Sequence, residues 1–411
     1  MGFDYRSLAI LVMQRLQLLF LSAIKSSFWL IAAGMLSVTS VASAGEGDTF
    51  RPFVNVNMGY DNNLFRFAND AEALTSTGEN KIPAISYQIY GAGVDLDLKR
   101  GRQQVVARVA GNKTIYSKFS NVLDYTGREI NGNWKWQLGN HWSGNLTASQ
   151  NRTQSTYNDN TNFTLASNVR TDNKQAFQAD YWFHTDWRVR AGLSNSNSNY
   201  SALSQKYRDY KTTGSNIGLY RLGQVVESVG VELTQSEGAY DVSPNSNYNE
   251  QGVRLSGVWN YSGKTRITGR VGYKQRDRPS NLNRDFSGFE WNLRTTWTPT
   301  GKSQVEASVY RDLRVNDAVL SGNEVADGIS VSAALLVAPK TRLNTQVSYE
   351  DIGFKGDSRR DKLANLSISA SYEAWRGGDV AVGLQHSSRE SSDKTAEFDS
   401  DSLFISANLR F

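Results

Sequence analysis

Residues 253–274 read VRLSGVWNYSGKTRITGRVGYK, and their alternation decides the fold. Val253, Leu255, Gly257, Trp259 and Tyr261 interleave with Arg254, Ser256, Val258 and Asn260. After the break Ser262-Gly263-Lys264, Ile267, Gly269, Val271 and Tyr273 interleave with Arg266, Thr268, Arg270 and Gly272. Successive side chains of a strand point to opposite faces, so each segment has one apolar and one polar face. The same alternation closes the chain, where Leu403, Ile405, Ala407, Leu409 and Phe411 interleave with Phe404, Ser406, Asn408 and Arg410.

Outward from this hairpin, about eighteen such segments follow one another from Pro52 on, each roughly ten residues long, with sixteen strands as the lower count. Short turns fall at 99–102, 139–140, 184–186, 222–223, 262–264, 299–301, 338–340 and 376–379. Between them lie long polar connectors, near 61–83, 118–126, 150–174, 195–209, 236–249, 276–286, 312–326, 351–361 and 388–401. Strict alternation of short and long connectors is the mark of a transmembrane antiparallel up-and-down β-barrel, with short periplasmic turns and longer extracellular loops. A soluble sandwich has no reason for it. Aromatics mark the borders of the apolar face. Trp142, Phe183, Trp187, Trp259, Tyr261 and Trp297 stand beside short turns, and Phe177, Tyr273, Phe289 and Tyr349 stand near the loops. Trp297 and Phe289 are eight positions apart on one strand, which at a barrel tilt spans about 20 Å.

Composition agrees. The chain has 411 residues with Lys+Arg 45 against Asp+Glu 40, a net charge of +5 that is too balanced for a dedicated nucleic-acid binder. It has no cysteine, which excludes disulfide scaffolds, thiol catalysis and thiolate metal sites, and only 3 histidines. Residues 1–44 differ from the rest. Apolar runs at 8–24 and 28–38, Lys25 before the second, and the small-residue ending Ala42-Ser43-Ala44 read as a secretory signal peptide, leaving 45–411 as the barrel. A start at Met13 would give a leader of more ordinary length, and a membrane anchor is the competing reading.

The polar face should enclose water, since a barrel of this strand number leaves an aqueous channel. By parity Arg108, Lys135, Arg188, Arg190, Arg254, Arg266, Arg270, Lys274 and Arg294 point inward, with Asp95, Asp97, Asp180, Glu232, Glu290, Glu306 and Glu350. Arg254, Arg266, Arg270, Lys274 and Arg294 fall on three consecutive strands as a basic wall that would attract anions, and guanidinium can grip carboxylate or phosphate with two bonds. Inward Trp182, Tyr220 and Tyr310 would offer stacking faces for sugars. Internal pairing of opposite charges is the competing explanation. The connector 150–174, carrying Arg152 and Arg170, is a candidate to narrow the pore, the alternative being an external loop. No catalytic constellation is evident. His141 and His184 sit at short turns, and His386 has only Ser387 and Ser388 beside it. Asp61-Asn62-Asn63 reads either as a calcium-ligand cluster or as a turn, the commoner role of such runs. No cofactor is expected.

The block Gly59-Tyr60-Asp61-Asn62-Asn63-Leu64-Phe65-Arg66 resembles the Tyr-Asp-(Asp/Asn)-Asn-Leu-Phe-Arg signature of outer-membrane β-barrels encoded in bacterial exopolysaccharide operons, a family grouped with β-barrel porins. Terminal Phe411 resembles the assembly signal of bacterial outer-membrane barrels. The resemblance implies an outer-membrane protein that passes or assists export of an acidic polysaccharide. Its implied partners are outer-membrane lipid, the barrel-assembly machinery, the polysaccharide and other exopolysaccharide export proteins, with no nucleic acid. A diffusion porin for small anions or oligosaccharides, and a non-conducting scaffold with glycan- or partner-binding loops, are the alternatives.

Overall fold

The computed structural model describes residues 49–157, 163, 165–278, 285–316 and 322–411. The expected leader, residues 1–44, lies outside them. The strands are β1 (Phe50–Asp61), β2 (Ile85–Arg100), β3 (Gln103–Tyr116), β4 (Tyr125–Leu138), β5 (Trp142–Gln154), β6 (Val169–His184), β7 (Trp187–Tyr200), β8 (Tyr210–Leu222) and β9 (Val226–Ala239). They continue with β10 (Tyr248–Ser262), β11 (Thr265–Asp277), β12 (Phe286–Thr300), β13 (Ser303–Asn316), β14 (Gly322–Ala338), β15 (Thr341–Lys355), β16 (Arg360–Trp375), β17 (Gly378–Ser391) and β18 (Phe398–Arg410). Every strand pairs antiparallel with its sequence neighbours, and β1 also pairs with β18, closing one 18-stranded barrel. Closure removes the unpaired edges that an open sheet would expose to lipid.

Side-chain contacts identify the concave face. Arg254 on β10 reaches Glu290 on β12, Arg266 on β11 reaches Glu227 on β9, and Arg276 on β11 reaches Asn323 on β14. Side chains two or three strands apart converge only inside a curved sheet, so this parity lines the lumen. The opposite parity carries the large exposed apolar residues. Leu233, Val253, Tyr273 and Phe289 stand side by side on β9–β12 as one such row, and Val231, Leu255, Val271 and Trp291 form the next. Phe289 is 62% and Trp297 48% exposed at the two ends of the apolar stretch of β12, as lipid-facing border residues should be.

The eighteen expected segments are all strands, but longer than expected, at 12 to 17 residues. Pairing continues beyond the lipid-facing band toward the loops. There the outward row becomes Gln235, Gln251 and Gln275, and Arg311 faces Asp327. The ladder persists while the apolar signal stops, so the expected long connectors were drawn too wide. Arg152 and Arg170, placed on the third connector by the sequence, belong to β5 and β6. Three of the short turns carry glycine at positive φ, Gly101 and Gly139 at 58° and Gly377 at 75°, a conformation costly to other residues. Among the described residues the longer connectors hold two α-helices, α1 (Asp70–Thr77) and the single turn α2 (Ser120–Leu123), as well as short 3-10 turns. Asn69 caps α1 by accepting from the Glu72 amide, and Gly78 ends it in a left-handed conformation.

Candidate functional site: the charged lumen wall and the loop cluster

The lumen wall is built from cations paired with carboxylates on neighbouring strands. Of the residues expected to meet a solute, Arg188, Arg190, Trp182 and Tyr220 come together near the short-turn end of β6–β8. Arg190 makes two bonds to Asp180, at 2.7 and 3.0 Å, and Arg188 reaches the same carboxylate at 3.1 Å. Two guanidiniums therefore share one carboxylate and leave a net positive charge. Arg188 lies over both Trp182 and Tyr220, at 5.2 and 5.4 Å, and Arg190 over Tyr220 at 4.9 Å. Gly230 makes room for the Tyr220 ring, since a Cβ there would stand 2.2 Å from it. With glycine beneath and guanidinium above, Tyr220 is only 7% exposed and serves as part of the wall more than as an open stacking face.

The wall continues diagonally toward the loops. The Tyr220 hydroxyl donates to Glu232 at 2.9 Å, and Arg254 bridges Glu232 and Glu290 at 3.3 and 3.1 Å. Lys274 links Glu290 (2.8 Å) to Glu250 (3.5 Å), and Arg276 binds Glu250 and the Asn323 amide oxygen. The remaining members of the expected basic wall are also paired. Arg266 meets Glu227 at 2.8 Å, Arg270 meets Asp312 at 3.5 Å and Arg294 meets Glu306 at 3.5 Å. Tyr310 donates to Glu350, which also takes Arg314 at 2.6 Å. The region is thus a band of alternating charge rather than a uniformly cationic sheet. Sequence reading missed Glu227, Glu250, Asp312, Arg276 and Arg314. For Glu250, Arg276, Asp312 and Arg314 the signal was available, because continuing the inward parity past each apolar stretch reaches them; Glu227 shares the parity of outward Val229 and turns inward only through the register shift between β9 and β10.

The second feature lies at the loop end. The signature block folds as a staple across the β1–β18 seam. Asp61 is buried, accepting from the Asn63 amide at 2.8 Å, from Ser400 Oγ at 2.9 Å and from Arg66 Nη1 at 3.1 Å. Asn63 Nδ2 donates to the carbonyls of Phe67 and Asp399, each at 2.9 Å, while its Oδ1 accepts from the Phe67 amide. Arg66 takes a left-handed φ of 62° and lies over the Phe398 ring at 5.4 Å. The Asp61-Asn62-Asn63 run is therefore a turn held by its own side chains. Tyr60 stays on the outward parity of β1, opposite Leu403.

This staple aims Phe65 at an apolar cluster in which Phe65, Phe67, Ala73, Ile85 and Leu123 are buried, with Leu64, Tyr116, Phe119, Tyr157, Phe163 and Leu165 packed around them. Phe65 meets Phe119, Tyr157 and Phe163 edge-on at 5.6, 5.0 and 5.2 Å. Ile85 and Tyr116 belong to the lumen parity of β2 and β3, so the first three loops pack on the inner side of the barrel mouth. The apolar residues scattered through polar connectors were the signal that sequence reading left unused. Burial pushes the Tyr157 hydroxyl above its ordinary value, against the opposing hydrogen bond from Gln154. His386 stands on the outward face, bonded to Asp401 at 2.9 Å, and has no part in either feature. Phe411 is the residue after β18.

A closed 18-stranded barrel with a lipid-facing apolar band and a charged lumen is an outer-membrane porin-like barrel. Residues 48–411 match the family described as "Putative beta-barrel porin 2", and the chain belongs to that family. No curated protein sequence matches it. Among solved structures, OccK9 (OpdG) of Pseudomonas aeruginosa is similar at 12% identity and a TM-score of 0.51, covering 88% of this chain and 98% of its own. OccK2 (OpdF) of the same organism, solved with glucuronate, is similar at 10% identity and a TM-score of 0.50, covering 90% and 100%. At such identity the likeness is one of fold.

Proposed function

We propose that this protein is a diffusion porin that passes small carboxylated solutes, including sugar acids, through its lumen. The supporting observation is the Arg188–Arg190 pair. Two guanidiniums share the single carboxylate of Asp180 beside Trp182, half-buried in the wall. A solute carboxylate can accept from the same fork, and the alternating charges from Glu232 to Arg276 offer exchangeable partners along the wall. Because each contact replaces an existing ion pair, binding stays weak enough for release. Glucuronate, bound in the OccK2 structure, is a suitable probe of this chemistry.

Passage of an acidic polysaccharide, implied by the sequence resemblance, is the less supported reading. The matched family is a porin family, and three loops pack over the inner side of the mouth, which suits small solutes better than a polymer. The test is reconstitution in planar bilayers under a salt gradient. The reversal potential should show anion preference, and glucuronate should block the current partially and reversibly. Arg188→Ala with Arg190→Ala should move the preference toward cations and weaken the block about tenfold or more. An unchanged reversal potential, or no current at all, overturns the reading. Block by acidic polysaccharide alone would restore polymer export.

A further inference from the structure

The lumen-wall arginines named above each have a carboxylate partner, whereas a cluster of three cations on the outer surface has none among the described residues. Lys113 on β3, Arg128 on β4 and Arg152 on β5 share the outward parity of Val109 and Ile130. Register sets Arg128 directly opposite Arg152, and Lys113 opposite Thr126, two residues from Arg128. Val109 and Ile130 face each other one step closer to the membrane centre and are 50% and 40% exposed, so the three cations stand where the lipid-facing band ends on the loop side. Among the described residues no carboxylate lies within ion-pair distance of any of them. Glu129, next to Arg128 in sequence, faces the lumen and binds Arg108 at 3.4 Å. Arg152 donates to the Thr126 carbonyl at 2.8 Å, which draws its guanidinium across β4 toward the other two.

The loop end of the outward face on β13–β16 is arranged differently. Arg311 grips Asp327 with two bonds of 2.7 Å, and Arg360 reaches Asp351 at 3.4 Å. There the rim charges neutralise one another. On β3–β5 they repel, since like charges placed opposite each other on adjacent strands destabilise the pair. An external anion at headgroup depth would remove that repulsion. Tyr90, 43% exposed and opposite Lys113 on β2, adds the aromatic neighbour favoured at a membrane interface.

We propose that Lys113, Arg128 and Arg152 form a docking site for the phosphate of an outer-leaflet membrane lipid, whose acyl chains lie along Val109 and Ile130. Guanidinium binds phosphate through paired bonds, and a basic residue near an anionic headgroup layer gains about fivefold in affinity at moderate salt. The test uses the full chain, folded in neutral detergent and incubated with diphosphorylated lipid A, with bound lipid counted by native mass spectrometry. The wild type should hold the lipid, and a fully dephosphorylated form should be held far less. K113Q with R128Q and R152Q should lower retention by about fivefold per charge removed. R128K with R152K, which keeps the charge, should retain most of it, and Arg311→Gln should change nothing. Heat-modified migration on gels confirms that each variant is folded. Equal retention by the triple variant, equal binding of the phosphate-free lipid, or complete displacement by millimolar inorganic phosphate would each overturn the proposal.

Discussion

The Tyr157 ring meets Phe65 nearly perpendicular, at 83° with centroids 5.0 Å apart, and this contact ties the third loop to the first. Phe65 is fully buried, so Phe65→Ala opens a cavity among three loops. Core Phe→Ala changes cost about 3–5 kcal/mol, and here the loss falls on the mouth while the strand ladder stays intact. The variant should keep its heat-modified migration, become sensitive to protease within residues 155–168, and conduct with larger, noisier openings. Unchanged proteolysis and conductance would remove the cluster from any role in setting the mouth.

The same cluster should respond to alkali. The folded protein holds the Tyr157 hydroxyl above its ordinary value, so the neutral form is favoured by the fold. The contribution is complete below the unfolded value near 10 and is lost as pH rises through the folded value. Conductance noise should therefore stay constant from about pH 5 to 9 and rise above about pH 10. Tyr157→Phe should diminish that rise.

Asp180 offers a change opposite in sign to removing the arginines. Asp180→Asn leaves Arg188 and Arg190 without their shared carboxylate. Ion preference measured by reversal potential should shift further toward anions, and glucuronate block should strengthen. Because the pair is half-buried, a stability loss of about 1–3 kcal/mol should accompany it, read as a lower urea midpoint.

Facing parity can be tested on a single strand. Leu293 points to lipid and Asn292 to the lumen, where it lies opposite Arg270. Leu293→Arg should cost about 2–4 kcal/mol near the membrane centre and reduce the folded fraction in vesicles. Asn292→Arg should fold normally and alter only ion selectivity. Equal tolerance of both would contradict the assigned faces.

Strand alternation was legible because lipid and water act on opposite faces of every residue pair. It makes Leu255 and Arg254 informative together, and it located all eighteen strands. Strand ends were less legible. Beyond the lipid the outward face turns polar, as at Gln235, Gln251 and Gln275, and the two faces look alike in sequence while the ladder continues. The inward direction of Arg254 or Arg188 could be read from parity, but not its partner. Glu290 lies two strands from Arg254, and that contact depends on barrel curvature, which no local pattern encodes. The Tyr-Asp-Asn-Asn-Leu-Phe-Arg run showed a turn but gave no sign that its partners are Asp399 and Ser400.

Asn63 and Asp61 reach those partners across 336 and 339 positions of chain, so the amino-terminal loop is completed by the final strand. The turn that begins the first loop therefore has its full set of partners only where the first and last strands meet, so a break in the β1–β18 pairing would strip the mouth of the anchor that holds Phe65 in place.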